Sequence, residues 1–448
     1  MSEQSKGDGP LERLARLRPI VPRPRFLISW DPQTNRLWYG LGSGKDSVRI
    51  SSEKELEAWA GTEELGARLD VGTVRRFLDA SERVDGPTLL HECTTRLSSF
   101  VHYEDQRICL LLATWTIASY FYPIFGHFGY LFFHSTLPRS GKTRSEEALS
   151  HLVFEGCAPV NSPTVPTVRD TAAEGRTLIL DTLERWKGKS PEAFCAAMEL
   201  LDAGFRNGGT VTKMEQVANG KWRKQVIPVF APYILAGIDR KSLSDTALDR
   251  SFVIEMHRKR FATKKRRYDY HQGEVECQPL RQRLYMFALQ NAAAVARAYS
   301  SAELEAEMDA MQLHDRAADI WRPLFAVLLA MEAEACFHDQ KELACEVAMD
   351  ADAADDLRKL KIVVALRQHV NGTGLLVATS TELGRYLKEA EITLERSTEL
   401  FLLLTKWGFE QRSSRLEGPF PVRAWHIEAG RLDELEKELR AGIYPAES

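Results

Sequence analysis

Gly129-Tyr130-Leu131-Phe132-Phe133-His134-Ser135-Thr136-Leu137-Pro138-Arg139-Ser140-Gly141-Lys142-Thr143 decides how the rest of this chain is read. It starts as an apolar run of strand length and breaks into a Ser/Pro/Gly turn. Residues 143–154 follow with helical spacing: Ala148, Leu149, Leu152 and Val153 share one face, and Gly156 stops the run. Strand, loop, Gly-Lys-Thr and helix is the order a phosphate-cradling loop requires. Backbone N–H groups and the helix N-terminus face the phosphates, the Lys ammonium reaches the outer ones, and the Thr hydroxyl ligates Mg²⁺. The match to G-x-x-x-x-G-K-[ST] is imperfect. Thr136 stands at the first Gly, and Pro138 removes one N–H donor. The competing reading, an ordinary surface turn, is disfavoured by the flanking strand and helix.

A second apolar strand, residues 177–181, ends in Asp181. An acid at the carboxyl end of a buried strand lies where α/β sheets bind ligands. Beside a phosphate loop it holds Mg²⁺ through water; otherwise it merely caps a strand. The next position, often a water-orienting Glu, is Thr182. The nearest carboxylate is Glu184, which points the same way as Thr182 if the strand continues. Farther on, residues 209–217 and 221–227 are strand-like runs around Ala218-Asn219-Gly220, a hairpin signal. Lys221, Arg223 and Lys224 interleave with Trp222 near its tip, a pattern that suits a single-stranded backbone and a stacked base. The alternative is an edge hairpin protected by lysine.

The 448 residues carry a net charge of −4, so nucleic-acid contact must come from local patches. Seven scattered cysteines without a C-x-x-C pair argue for reduced thiols in a cytoplasmic protein and against a zinc site. Residues 108–138 hold no Lys, Arg, Asp or Glu and are long enough to span a bilayer. Pro123, Gly126, His127 and Gly129 interrupt them, so we expect a buried helix over 105–121, then a turn and a central strand, and no membrane span.

Residues 1–95 form a small N-terminal α+β region, with a hairpin across residues 31–35 and a capped helix after 51–55. Gly40–Lys45 is read as a flexible turn. Apolar strands are expected over 229–236 and 252–256. The basic run 258–267 reads as a solvated linker or a nucleic-acid contact. Residues 279–348 are helical. Three helices over 357–370, 379–390 and 395–407, then strands over 409–415 and 423–427, describe a winged helix.

Taken together, these segments resemble the ATPases of phage, plasmid and genomic-island replication modules, AAA+-type proteins akin to superfamily-three and MCM-like helicases. The resemblance covers residues 109–427. It rests on Ser140-Gly141-Lys142-Thr143-Arg144, Leu178-Ile179-Leu180-Asp181, residues 201–209, Leu235-Ala236-Gly237-Ile238, Ala247-Leu248-Asp249-Arg250-Ser251 and residues 315–324. It implies an α/β P-loop AAA+-type core over 96–260, a helical lid over 261–350 and a winged-helix domain over 351–448. It implies ATP and Mg²⁺ as cofactors, with Ser140 to Arg144 binding nucleotide and Thr143 and Asp181 the metal. Lys142, Asp181, Glu184 and Arg250 become the catalytic set, Arg250 as an arginine finger on a neighbour's ATP, and Arg316 and Arg322 nucleotide sensors. Lys213, Lys221, Trp222, Arg223 and Lys224 fall where such helicases contact DNA. The resemblance implies a hexameric ring that acts as a helicase, translocase or loader with replication partners. The alternative is a nucleotide-gated DNA-binding regulator or defence component with little hydrolysis.

Overall fold

The computed structural model describes residues 25–31, 36–42, 48–50, 68–137, 139–161, 164–189, 191–216, 222–258, 265–390, 392, 397–414 and 422–443. The chain divides into two compact units, residues 1–344 and 345–448. The first begins with an antiparallel sheet, β1 (Arg25–Asp31), β2 (Arg36–Gly42) and β3 (Val48–Ile50). Gly40 to Gly42 belong to β2 and are not a turn; the helix expected after 51–55 lies outside the described residues.

Helices α1 (Val71–Leu78), α2 (Gly86–Phe100) and α3 (Arg107–Ala118) follow. The apolar stretch Arg107–Ile124 is long enough to cross a membrane, but 83% of it is buried inside the fold. Trp115 Nε1 donates to Gly129 O at 2.8 Å, which ties α3 to the next strand.

That strand, β4 (Tyr130–His134), is buried at every residue, as the middle of a parallel sheet must be. Helix α4 (Lys142–Ser150), β5 (Val160–Asn161), α5 (Val165–Ala173), β6 (Leu178–Asp181), α6 (Glu184–Lys189) and α7 (Pro191–Gly204) come next. The hairpin β7 (Thr210–Gln216) and β8 (Trp222–Pro228) leads to β9 (Tyr233–Gly237), α8 (Asp245–Asp249) and β10 (Ser251–Glu255). Five strands form one parallel sheet in the order β10-β4-β9-β6-β5. Every sequential crossover therefore leaves a loop at the carboxyl edge, where such sheets place ligands.

Helices α9 (Tyr270–Tyr299), α10 (Ala302–Ala310), α11 (Asp315–Ala330) and α12 (Glu334–Arg367) complete the helical part, and the unit boundary falls within α12. The second unit adds β11 (Leu375–Ala378), α13 (Ser380–Glu389), α14 (Ser397–Lys406), β12 (Glu410–Ser414), β13 (Val422–Glu428) and α15 (Ala429–Ile443). Its antiparallel sheet runs β11-β13-β12. Thr379 and Glu382 form the capping box that opens α13, and Gly408, at φ 86°, ends α14. The core gathers Leu366, Leu383, Leu404, Trp425 and Ile427.

Candidate functional site

The chain leaves β4 at His134 and turns at once. Ser135 Oγ accepts from Leu137 N at 3.2 Å and braces the loop start. Arg139 and Gly141 take left-handed backbone, φ 63° and 105°, a conformation that curls successive amides into an anion-binding concavity. Glycine is needed at 141 for its φ, since a Cβ there would meet nothing nearer than 3.5 Å. Pro138 lies outside the described residues. Lys142 Nζ donates to Ser135 O at 2.9 Å, so the ammonium folds back onto the loop. Thr143 Oγ1 stands 3.5 Å from Asp181 Oδ2 at the end of β6.

In front of this loop opens a cavity of about 690 Å³. Among the described residues its lining includes Arg139, Lys142, Arg144, Arg258 and Lys265, with Ser140, Gly141 and Thr143 and no carboxylate. Phe100, Val101 and His102 close another side. The basic run, remote in sequence, arrives here because it is pinned to the end of α2. Lys265 Nζ donates to Ser98 O at 2.7 Å and Arg266 N to Ser99 O at 3.0 Å. Lys259, Arg260 and Lys264 lie outside the described residues. A concave wall of one charge sign concentrates polyanions.

The nearby acids are not part of that lining. Thr182 takes φ 57°, left-handed and strained for a β-branched residue, and its N–H donates to Asp181 Oδ1 at 2.7 Å. This ends β6, so the extended run that would have aimed Glu184 beside Thr182 does not exist. Glu184 instead opens α6, with Oε2 buried and without a hydrogen-bond partner among the described residues. A second acid was not legible in the sequence. Glu146, three residues after Thr143 and four after Lys142, lies on their helix face, and α4 packs over β6. It is fully buried, and both its carboxylate oxygens lack a partner among the described residues. Burial first, then the nearby Asp181 charge, push its carboxyl well above the ordinary range, against the pull of Lys142. Thr143 and Asp181 offer the oxygen donors a hard divalent cation takes, and orphaned acid oxygens beside them fit one.

The remaining arginines lie elsewhere. Arg250 O accepts from Tyr130 N, at the start of β4, whereas the loop follows its end. Four residue rises separate the two, about 13 Å. Arg250 pairs with Asp202 and lies 5.5 Å from the Phe205 ring centroid, which Arg316 also covers at 4.9 Å. Arg316 further bonds Asp319 at 2.8 Å, and Arg322 pairs with Glu305. Neither Arg316 nor Arg322 is among the residues that line the cavity.

The hairpin pairs Met214 with Lys224 and Gln216 with Trp222, which fixes its faces. Trp222 and Lys224 share one face with Met214 and Val226, and Trp222, Met214 and Val226 are all exposed there. Lys213 and Arg223 belong to the opposite face, with the buried Ile227. Lys221 and the turn lie outside the described residues.

A family model described as a protein of unknown function, DUF3631, matches residues 255–393. No curated protein matches the chain. Among solved structures, the chain is similar to the A form apo structure of the NrS-1 C-terminal region. One such structure is 10% identical over 89% of this chain and 95% of that one, with a TM-score of 0.29. Another is 10% identical over 89% and 96%, with a TM-score of 0.33. Likeness at that level says nothing of activity. The fold itself is mixed α/β, with a parallel sheet and many helices.

Proposed function

We propose that the protein is an ATPase of the AAA+ type from a DNA replication module, acting as a helicase, translocase or helicase loader. One observation carries this reading: Lys142, Thr143 and Asp181 converge beside a cation-lined cavity at the carboxyl edge of a parallel sheet. The sheet order, with β4 between β10 and β9, suits such a core. The exposed Trp222–Lys224 face suits single-stranded DNA, and the helices and hairpin of the second unit suit a winged helix.

In this mechanism the loop amides of residues 139–143 hold the phosphates. Lys142 leaves Ser135 O and reaches the outer phosphate, and Arg258 and Lys265 neutralise charge from the far wall. Thr143 and Asp181 hold Mg²⁺, which, when bound, offsets charge on the transferred phosphoryl group. Arg250, about 13 Å away at the far end of β4, serves a neighbouring subunit in a ring. With threonine at 182, Glu184 at the start of α6 remains a carboxylate for orienting water.

The test is Lys142→Ala. A lost charge-assisted contact of about 1.5–3 kcal/mol weakens ATP affinity about 10- to 100-fold. The fold stays intact in a thermal melt. Unchanged affinity in a folded variant ends this reading; DNA-stimulated hydrolysis by wild type supports the motor assignment over a passive binder.

A further inference from the structure

Glu146 is the group that neither the fold nor the proposed reaction has yet used. It sits mid-helix, fully buried, with both oxygens unpartnered among the described residues. A buried carboxyl in that condition costs free energy, and an apolar residue on this face would remove the cost. Its placement is specific. Helical spacing puts it one turn below Thr143 and Lys142, and α4 packs over the strand that ends in Asp181. Asp181 itself is already engaged, one oxygen by Thr182 N and the other by Thr143 Oγ1. Each Asp181 oxygen keeps a second lone pair, and Glu146 adds two acceptors that no described residue fills.

We propose that Glu146 is the second carboxylate of the divalent-cation site, a positioning residue that accepts hydrogen bonds from water carried by an ion held at Thr143 and Asp181. Magnesium keeps several of its waters and is held by one or two carboxylates with substrate phosphate, so a second acid need not touch the ion. The dication also supplies the opposite charge that two neighbouring carboxylates need. The inference rests on the nucleotide reading above.

The experiment uses the full chain, with ADP titrated in excess Mg²⁺ and separately in EDTA, and Mn²⁺ binding followed by electron paramagnetic resonance. Glu146→Gln keeps the side-chain shape and melts at or above the wild-type temperature. It binds ADP in EDTA like wild type, but loses about 10- to 100-fold in Mg²⁺–ADP and Mn²⁺–ADP affinity, the usual effect of removing an outer-shell partner. Glu146→Asp, which keeps the charge, recovers part of that loss. If Glu146→Gln keeps the full Mg²⁺ gain, Glu146 is structural and the proposal is overturned. If a folded wild type takes up ADP in neither condition, the nucleotide reading itself has failed, a result distinct from the first.

Discussion

The joint between α4 and α9 makes the protein acid-sensitive through one residue, His151. It is the C-cap of α4, and its side chain is 1% exposed. Its Nδ1 meets the Tyr268 hydroxyl, and the Tyr270 ring lies 4.4 Å away. Glu274 approaches Nε2 at 3.5 Å, but that carboxylate is already shared by Arg281 at 2.8 Å and Arg68 at 3.5 Å. The imidazole is thus buried with an acid whose charge is spent on two arginines. Burial lowers its pKa from 6.5 to about 4; Glu274 opposes this, while Arg68, Arg281 and Arg96 add to it. The sign follows directly. On acidification the unfolded chain takes up the proton near pH 6.5, whereas the folded chain resists until about 4. Stability from this group is complete above pH 6.5 and is lost as pH falls toward 4. The total is about 3 kcal/mol, of which roughly 2 kcal/mol is gone by pH 5. Urea unfolding of wild type and His151→Gln between pH 8 and 5 measures it. The variant is less stable at pH 7.5, and the gap narrows by about 2 kcal/mol at pH 5. Parallel curves, or an imidazole that titrates near 6.5 by NMR, refute the reasoning.

Two further outcomes concern DNA and assembly. Alanine at Trp222 and Lys224 together weakens single-stranded DNA binding about tenfold or more, from the worth of one base stack. Alanine at Lys213 and Arg223, on the other hairpin face, has the smaller effect in fluorescence anisotropy; the reverse order means the exposed face is not the DNA face. Arg250→Ala and Lys142→Ala proteins, each inactive alone, recover some ATPase when co-assembled, because some interfaces then join an intact loop to an intact arginine. Silence in those mixtures, with wild-type mixtures active, removes the trans role of Arg250.

What the sequence made legible is what local chemistry dictates. The uncharged run into β4 had to be a buried central strand, and Asn219-Gly220 implied the β7–β8 pairing. Thr379 and Glu382 announced a helix start through side chains three residues apart. The readings that missed depended on nonlocal packing or on one backbone angle. Thr182 adopts a positive φ that its residue type disfavours, so the condition on Glu184, that β6 continue to it, is not met. Glu146 sits in a Ser-Glu-Glu stretch that reads as a solvent face, yet α4 presents it to the sheet. Lys265 reached the cavity through its bond to Ser98, 167 positions away in sequence.

Two features around Asp181 point to the same place without any motif. A β-branched residue in left-handed backbone costs on the order of 1–3 kcal/mol, and it directly follows Asp181. A fully buried carboxyl without a partner among the described residues costs about as much or more, and Asp181 is the like charge that acts most strongly on Glu146. Either could be relieved by one substitution, glycine or asparagine at 182 and an aliphatic residue at 146. Strain and orphaned acids held together at the carboxyl end of β6 are what binding of the proposed Mg²⁺–nucleotide would offset.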